Sequence, residues 1–295
     1  MGRMAMPDAA MSLIDQLGDF PCTVAPVASG AVAYRQASSG GYSGPVTHVL
    51  LHGIGSGSGS WLAQLAQARL ARDRACHVVA WDAPGYGQSA PLLAAAPLAE
   101  DYAQRLWDWL DAAQFDTSAP LTLVGHSLGA LMVASAARLR PARVRQVLLL
   151  APAQGYANAS AAVREKKLVD RLANLTRLGP AGLAKDRAVA MLSAQAGAHQ
   201  IAFVEQIMAG IHARGYTQAA HMLAGGVIAA DLAQLRCPVT VASGSADSIT
   251  PQAGCRALAA QIGARYVSLG DAGHSCALEA AAAVGTLLGI DGAVA

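Results

Sequence analysis

The strongest chemical signal in this 295-residue chain is Gly125-His126-Ser127-Leu128-Gly129, a G-x-S-x-G pentapeptide between a strand-like run and a helix-like one. A nucleophilic serine must be lifted out of the chain on a sharp strand-to-helix turn, and small flanking residues leave room for that strained backbone. A helix starting at Leu128 would point its first amides and its positive dipole end at developing negative charge. A serine hydroxyl is a weak nucleophile at neutral pH, so it needs a base, and the base needs an orienting group. Of eight histidines, His274 is the best placed base, on the loop Leu269-Gly270-Asp271-Ala272-Gly273-His274 after the last strand-like run. His48, His52 and His77 belong to strand-like runs, and His199, His212 and His221 to a helical stretch. His126 adjoins Ser127 but reads as pointing away on its turn. For the acid, Asp247 follows a strand-like run in Gly244-Ser245-Ala246-Asp247-Ser248-Ile249-Thr250-Pro251. Asp271 is the alternative, and three residues from His274 it reads better as a solvated loop carboxylate. The serine chemistry also needs a second backbone donor for the oxyanion. Leu51-His52-Gly53-Ile54-Gly55 fills that slot, which pairs the amide of Ile54 with that of Leu128.

The elements that must position these groups alternate along the chain. Thr23 to Ser38 reads as two short strands around Ser29-Gly30. Strand-like runs at Val46–His52, His77–Asp82, Leu121–Gly125 and Val144–Ala151 then alternate with helical stretches at Trp61–Arg72, Glu100–Ala113 and Leu128–Arg140. Further strands are predicted at Val239–Ser243 and Tyr266–Leu269. Runs apolar on both faces, alternating with helices, call for an α/β fold with a mostly parallel sheet covered on both sides. From Gln154 to about Gly226 there is no strand-like run, only Ala-rich helical patches, which predicts an all-helical cap. The expected division is 1–153 for the first part of the core, 154–226 for the cap and 227–295 for the second part of the core. Within the cap, Met191, Phe203, Met208 and Met222 are the candidate substrate-binding residues, with Ile207 and Leu223 also apolar, since methionine suits an adaptable apolar wall. Arg164, Lys166 and Lys167 read as a solvated helix face.

Composition excludes several classes. With Lys plus Arg at 21 and Asp plus Glu at 19, the net charge is only +2, with no clustered basic face for nucleic acid. The chain is 54% hydrophobic, too apolar for disorder, yet no apolar run reaches the roughly 18 residues of a membrane span. Gly53, Gly55, Gly57 and Gly59 never complete G-x-G-x-x-G, and there is no phosphate loop, no H-E-x-x-H and no Cys/His cluster, so no cofactor and no metal is expected. The five cysteines are scattered and fit reduced thiols of a cytoplasmic protein. Met1 to Phe20 lacks the apolar stretch of a signal peptide, and Met1-Gly2 lacks the Ser or Thr of a myristoylation signal.

Taken together, His52-Gly53, Asp82-Ala83-Pro84-Gly85-Tyr86-Gly87-Gln88-Ser89, the Ser127 pentapeptide, Gly244-x-x-Asp247-x-x-x-Pro251 and Gly273-His274 resemble the α/β-hydrolase superfamily, in that family's order and over about Val46 to Leu288. The order Ser127, Asp247, His274 is the one expected of that fold. The resemblance implies an α/β-hydrolase fold with a helical cap, a structural role for the Asp82–Ser89 turn, and a Ser-His-Asp triad working through an acyl-enzyme. It implies a small ester or (enol-)lactone as partner, with a homodimer compatible. Carbon–carbon bond hydrolases of aromatic meta-cleavage pathways look similar, but they usually carry Asn before the serine and Trp after the histidine, where this chain has His126 and Ser275. Acyl transfer or perhydrolysis would use the same triad, and a non-catalytic ligand-binding member of the fold is the alternative outside enzymology.

Overall fold

Strand-forming runs rich in Val, Leu and Ala assemble into an eight-stranded sheet in a computed structural model that describes residues 11–290 except positions 73 and 114. The strands are β1 (Thr23–Ala25), β2 (Val32–Ser38), β3 (His48–Leu51), β4 (His77–Trp81), β5 (Leu121–His126), β6 (Val144–Leu150), β7 (Val239–Ser243) and β8 (Arg265–Ser268). Their spatial order is β1-β2-β4-β3-β5-β6-β7-β8. The pairs β1·β2 and β2·β4 are antiparallel, with Tyr34 opposite Trp81, and every other pair is parallel. Every residue of β3 and β5 is buried, as strands covered on both faces must be.

The helices are α1 (Leu13–Leu17), α2 (Leu62–Leu70), α3 (Ala99–Ala112), α4 (Gly129–Leu139), α5 (Ala161–Arg187), α6 (Ala198–Ala209), α7 (Ala213–Gly225), α8 (Ile228–Leu232), α9 (Gln252–Gln261), α10 (Cys276–Glu279) and α11 (Ala281–Leu288). In α3, Tyr102, Leu106, Trp109 and Leu110 form the buried stripe, while Glu100 and Asp101 sit in the first turn where the helix dipole favours acids. Trp109 stacks on Trp81 of β4, joining helix to sheet through two fully buried indoles. Trp61, expected to open a helix, instead closes a short 3-10 turn from Ser58, and it is wholly buried.

Between β6 and β7 the chain forms α5 to α8 and a short 3-10 turn, with one isolated bridge from Ile211 to Tyr86. This insertion is tied to the sheet by backbone contacts. Gly215 of α7 lies so near Gly85, in the turn after β4, that a Cβ on Gly215 would stand 2.0 Å from the Gly85 carbonyl oxygen. On the other side, Glu279 accepts from the amides of Ser193 in the insertion and Gly273 in the loop before His274, each at 2.9 Å. Among the described residues no helix is long and apolar enough to cross a membrane, no group of three metal-ligating side chains forms, and all five cysteines are free. Residues 1–10, on which the reading against a leader or acylation signal largely rests, lie outside the described residues.

Candidate active site

Ser127 follows β5 directly, and its φ of 51° places a non-glycine residue in the left-handed region. Such strain costs on the order of 1–3 kcal/mol and persists only where the surroundings impose it. Here packing imposes it. A Cβ on Gly125 would lie 2.6 Å from the Gly129 carbonyl oxygen, and one on Gly129 would lie 2.3 Å from that of Leu51. Ala151, one residue past β6, has φ 46°, so two adjacent strands end in the same unusual turn.

The turn aims Ser127 at His274, whose Nε2 lies 2.9 Å from Ser127 Oγ. On the other side of the ring, Nδ1 lies 2.9 Å from Asp247 Oδ2. A carboxylate only accepts, so Nδ1 carries the proton and Nε2 offers its lone pair to the serine hydroxyl. All three residues are buried, with relative exposures of 5%, 4% and 2% for Ser127, Asp247 and His274. Burial pushes the Asp247 carboxyl up, but hydrogen bonding and charge from His274, with the amide and hydroxyl of Thr250, outweigh it and hold the acid below its ordinary range. Asp247 Oδ1 accepts from the amides of Ile249 at 2.8 Å and Thr250 at 2.9 Å, and Oδ2 accepts from Thr250 Oγ at 2.7 Å. Asp271 is exposed and accepts from Ser245 instead.

Ile54 borders the cavity in front of Ser127, and Leu128 caps α4 with helical φ and ψ of −59° and −33°. The first amides of a helix have no intrahelical acceptor, so that of Leu128 is available, while Ile54 is brought close by Gly53. A Cβ on Gly53 would lie 2.9 Å from that of Ser127. The loop is held from behind: His52 Nε2 accepts from the Ala83 amide at 2.9 Å, and Asp82 Oδ1 accepts from the Ser58 amide at 2.6 Å. The Asp82–Ser89 turn thus shapes the neighbouring loop.

His126 departs from its sequence reading. It does not point away: its ring borders the cavity, and its Nε2 donates to the backbone carbonyl of His274 at 2.8 Å. Burial, then the neighbouring His274, lowers its pKa to about 3, so it donates as a neutral imidazole. Burial likewise takes His48, which donates from Nε2 to the Leu288 carbonyl, down to about 4. In the unfolded chain both titrate near 6.5, so below that pH the unfolded state binds more protons. Stability from these two groups is therefore complete above about pH 6.5 and lost as the pH falls toward 4. Urea unfolding at pH 7 and pH 4.5 should show a loss of roughly 2 kcal/mol per histidine, and His48→Gln should flatten part of that slope. Equal midpoints at the two pH values would contradict it.

The cavity has a volume of about 230 Å³, and beside it lies an apolar recess of about 30 Å³. Met191 and Met208 border both, and Phe203 borders the recess alone. Met222 borders neither; it is fully buried in the main core. Leu223, its neighbour, reaches the cavity in its place. Lys166 pairs with Asp170 on the exposed side of α5, as a solvated face should. Sequence reasoning missed Thr250, whose signal was its place three residues after Asp247, and it missed Arg171 and Arg187, which border the cavity.

A family model described as the alpha/beta hydrolase family matches residues 49–286. Among curated proteins, the chain is 32% identical over 103 residues to (E)-2-((N-methylformamido)methylene)succinate hydrolase of Acinetobacter baylyi, covering 35% of this chain and 36% of that protein. It is 30% identical over 263 residues to the dihydrolipoyllysine-residue acetyltransferase component of the acetoin cleaving system of Cupriavidus necator, covering 85% of this chain and 64% of that protein. The chain thus spans about a third and just under two thirds of the length of these relatives. In fold it is similar to the enol-lactonase from Burkholderia xenovorans, with a TM-score of 0.76 and 22% identity over 91% of this chain and 99% of that one.

Proposed function

Because the chain belongs to the alpha/beta hydrolase family, we propose that it is a serine hydrolase cleaving a small carboxylic ester or (enol-)lactone. The observation that carries this reading is the unbroken line from Ser127 Oγ through His274 to Asp247, opening on a cavity of about 230 Å³. In the reaction, His274 Nε2 takes the hydroxyl proton as Ser127 Oγ attacks the carbonyl carbon. The carbonyl oxygen becomes an oxyanion, which the amides of Ile54 and Leu128 receive. Collapse breaks the bond to the leaving alkoxide, and His274 returns the proton to it. Water, deprotonated by the same nitrogen, then attacks the acyl-enzyme and frees Ser127. Asp247 stays ionised throughout, stabilises the imidazolium and fixes its tautomer. His126 steadies His274 by donating to its backbone carbonyl.

The small cavity supports a small substrate. The intact line of hydrogen bonds argues against a non-catalytic ligand-binding role. Mixing p-nitrophenyl acetate or butyrate with the protein in a stopped-flow cell tests the reading. A burst of about one equivalent of nitrophenol before steady turnover is expected from an acyl-enzyme. Absence of both burst and turnover would overturn it. Added methanol or peroxide, if it captures the acyl group faster than water, would shift the reading to acyl transfer or perhydrolysis.

A further inference from the structure

Arg171 and Arg187 line the cavity in front of Ser127, and among the described residues no acidic side chain lines it. Both arginines belong to α5, 16 positions apart, which in a straight helix is about 24 Å. They reach one small cavity because α5 is broken between them. Gly179 has φ 64°, in the left-handed region, and Pro180 cannot donate to the preceding turn. The break lets both side chains line the same cavity.

Neither charge has an ion-pair partner among the described residues. Arg171 donates to the neutral hydroxyl of Tyr216 at 3.2 Å, and Arg187 forms no hydrogen bond or ion pair among the described residues. Both are only half-buried, yet they sit in the wall of a cavity that Met191, Met208 and Leu223 also line. Unpaired guanidinium groups on one cavity, with fixed planar donors, are suited to a carboxylate, and a partly desolvated site strengthens the attraction. We infer that the substrate carries a carboxylate besides its scissile ester or lactone, and that Arg171 and Arg187 hold it and set substrate choice. This rests on the serine hydrolase reading of the same site. The hydroxyl of Tyr216, kept beside Arg171, is left free to donate to the same carboxylate.

Hydrolysis of monomethyl adipate and monomethyl glutarate, compared with methyl hexanoate and methyl pentanoate, tests the inference by pH-stat. Each pair matches in chain length and differs only in a terminal carboxylate against a methyl group. The wild type should favour the half-esters by about 10-fold or more in kcat/KM, since hydrogen bonds to charged groups are the strong ones. Arg187→Gln and Arg171→Gln should each cut that ratio several-fold, with Arg187→Lys keeping part of it. Lys166→Gln, exposed on the same helix, should leave the ratio at the wild-type value. A wild type that takes the neutral esters equally well, or a ratio that survives the double Arg→Gln variant, would overturn the inference. Calorimetric titration of Ser127→Ala with adipate gives a readout free of turnover. Binding that weakens about 10-fold or more in the Arg→Gln backgrounds supports the anion site even if the burst experiment fails, whereas no adipate binding in any background counts against it.

Discussion

Ser127→Ala should fold as the wild type does and lose the p-nitrophenyl acetate burst entirely, with turnover lowered by about four orders of magnitude or more. The size follows from how the line works as a unit. His274 Nε2 has Ser127 Oγ as its partner at 2.9 Å, and without that oxygen the base has no proton to take and no nucleophile to activate. What survives is the catalysis of a water molecule held near the amides of Ile54 and Leu128, a small remainder. Stability should change little, because alanine meets the same left-handed backbone at φ 51° that serine does, and neither side chain relieves it. The thermal midpoint of the variant therefore serves as the control. A variant that folds and turns over at the wild-type rate would remove Ser127 from the mechanism, and the non-catalytic ligand-binding reading would take its place.

The parts of this site that were legible in the sequence are those fixed by local backbone chemistry. Ser127 sits on a turn that only Gly125 and Gly129 permit, and Asp247 accepts from amides two and three residues ahead, so short windows of sequence carry both. His274 follows from chain order once those two are placed. His126 was misread because its partner, the His274 carbonyl, is 148 residues away, and no local period says where a ring at a strand end will turn. Glu279 escaped notice for the same reason, since it joins two loops that meet only after folding. In α5, Gly179-Pro180 was visible as letters, but its effect of placing Arg171 and Arg187 on one cavity depends on the direction of the bend. Met222 and Leu223 are neighbours on an Ala-rich helix with apolar residues on more than one face, so pattern alone could not decide which one meets the cavity.

The sharpest contrast between local and tertiary reasoning is expected at Gly129→Ala. Gly129 is the first residue of α4 and needs no positive φ, so helix propensity alone predicts that alanine stabilises the protein by up to about 1 kcal/mol. The tertiary packing predicts the reverse. The new Cβ would stand 2.3 Å from the Leu51 carbonyl oxygen and 2.8 Å from that of His52, and both are backbone atoms at the end of β3. Neither can rotate away, so either α4 backs off from the sheet or β3 shifts. Either movement separates the amide of Leu128 from that of Ile54 and turns Ser127 away from His274. Overpacking of this kind costs typically about 1–3 kcal/mol where side chains can yield, and more is expected where only backbone can. The variant should thus be either insoluble or several degrees less stable, with any turnover of p-nitrophenyl acetate falling further than its stability, as urea midpoints and initial rates would show. A more stable, fully active Gly129→Ala protein would mean that helix and strand do not meet as closely as described. The strained turn at Ser127 would then be held by some other contact.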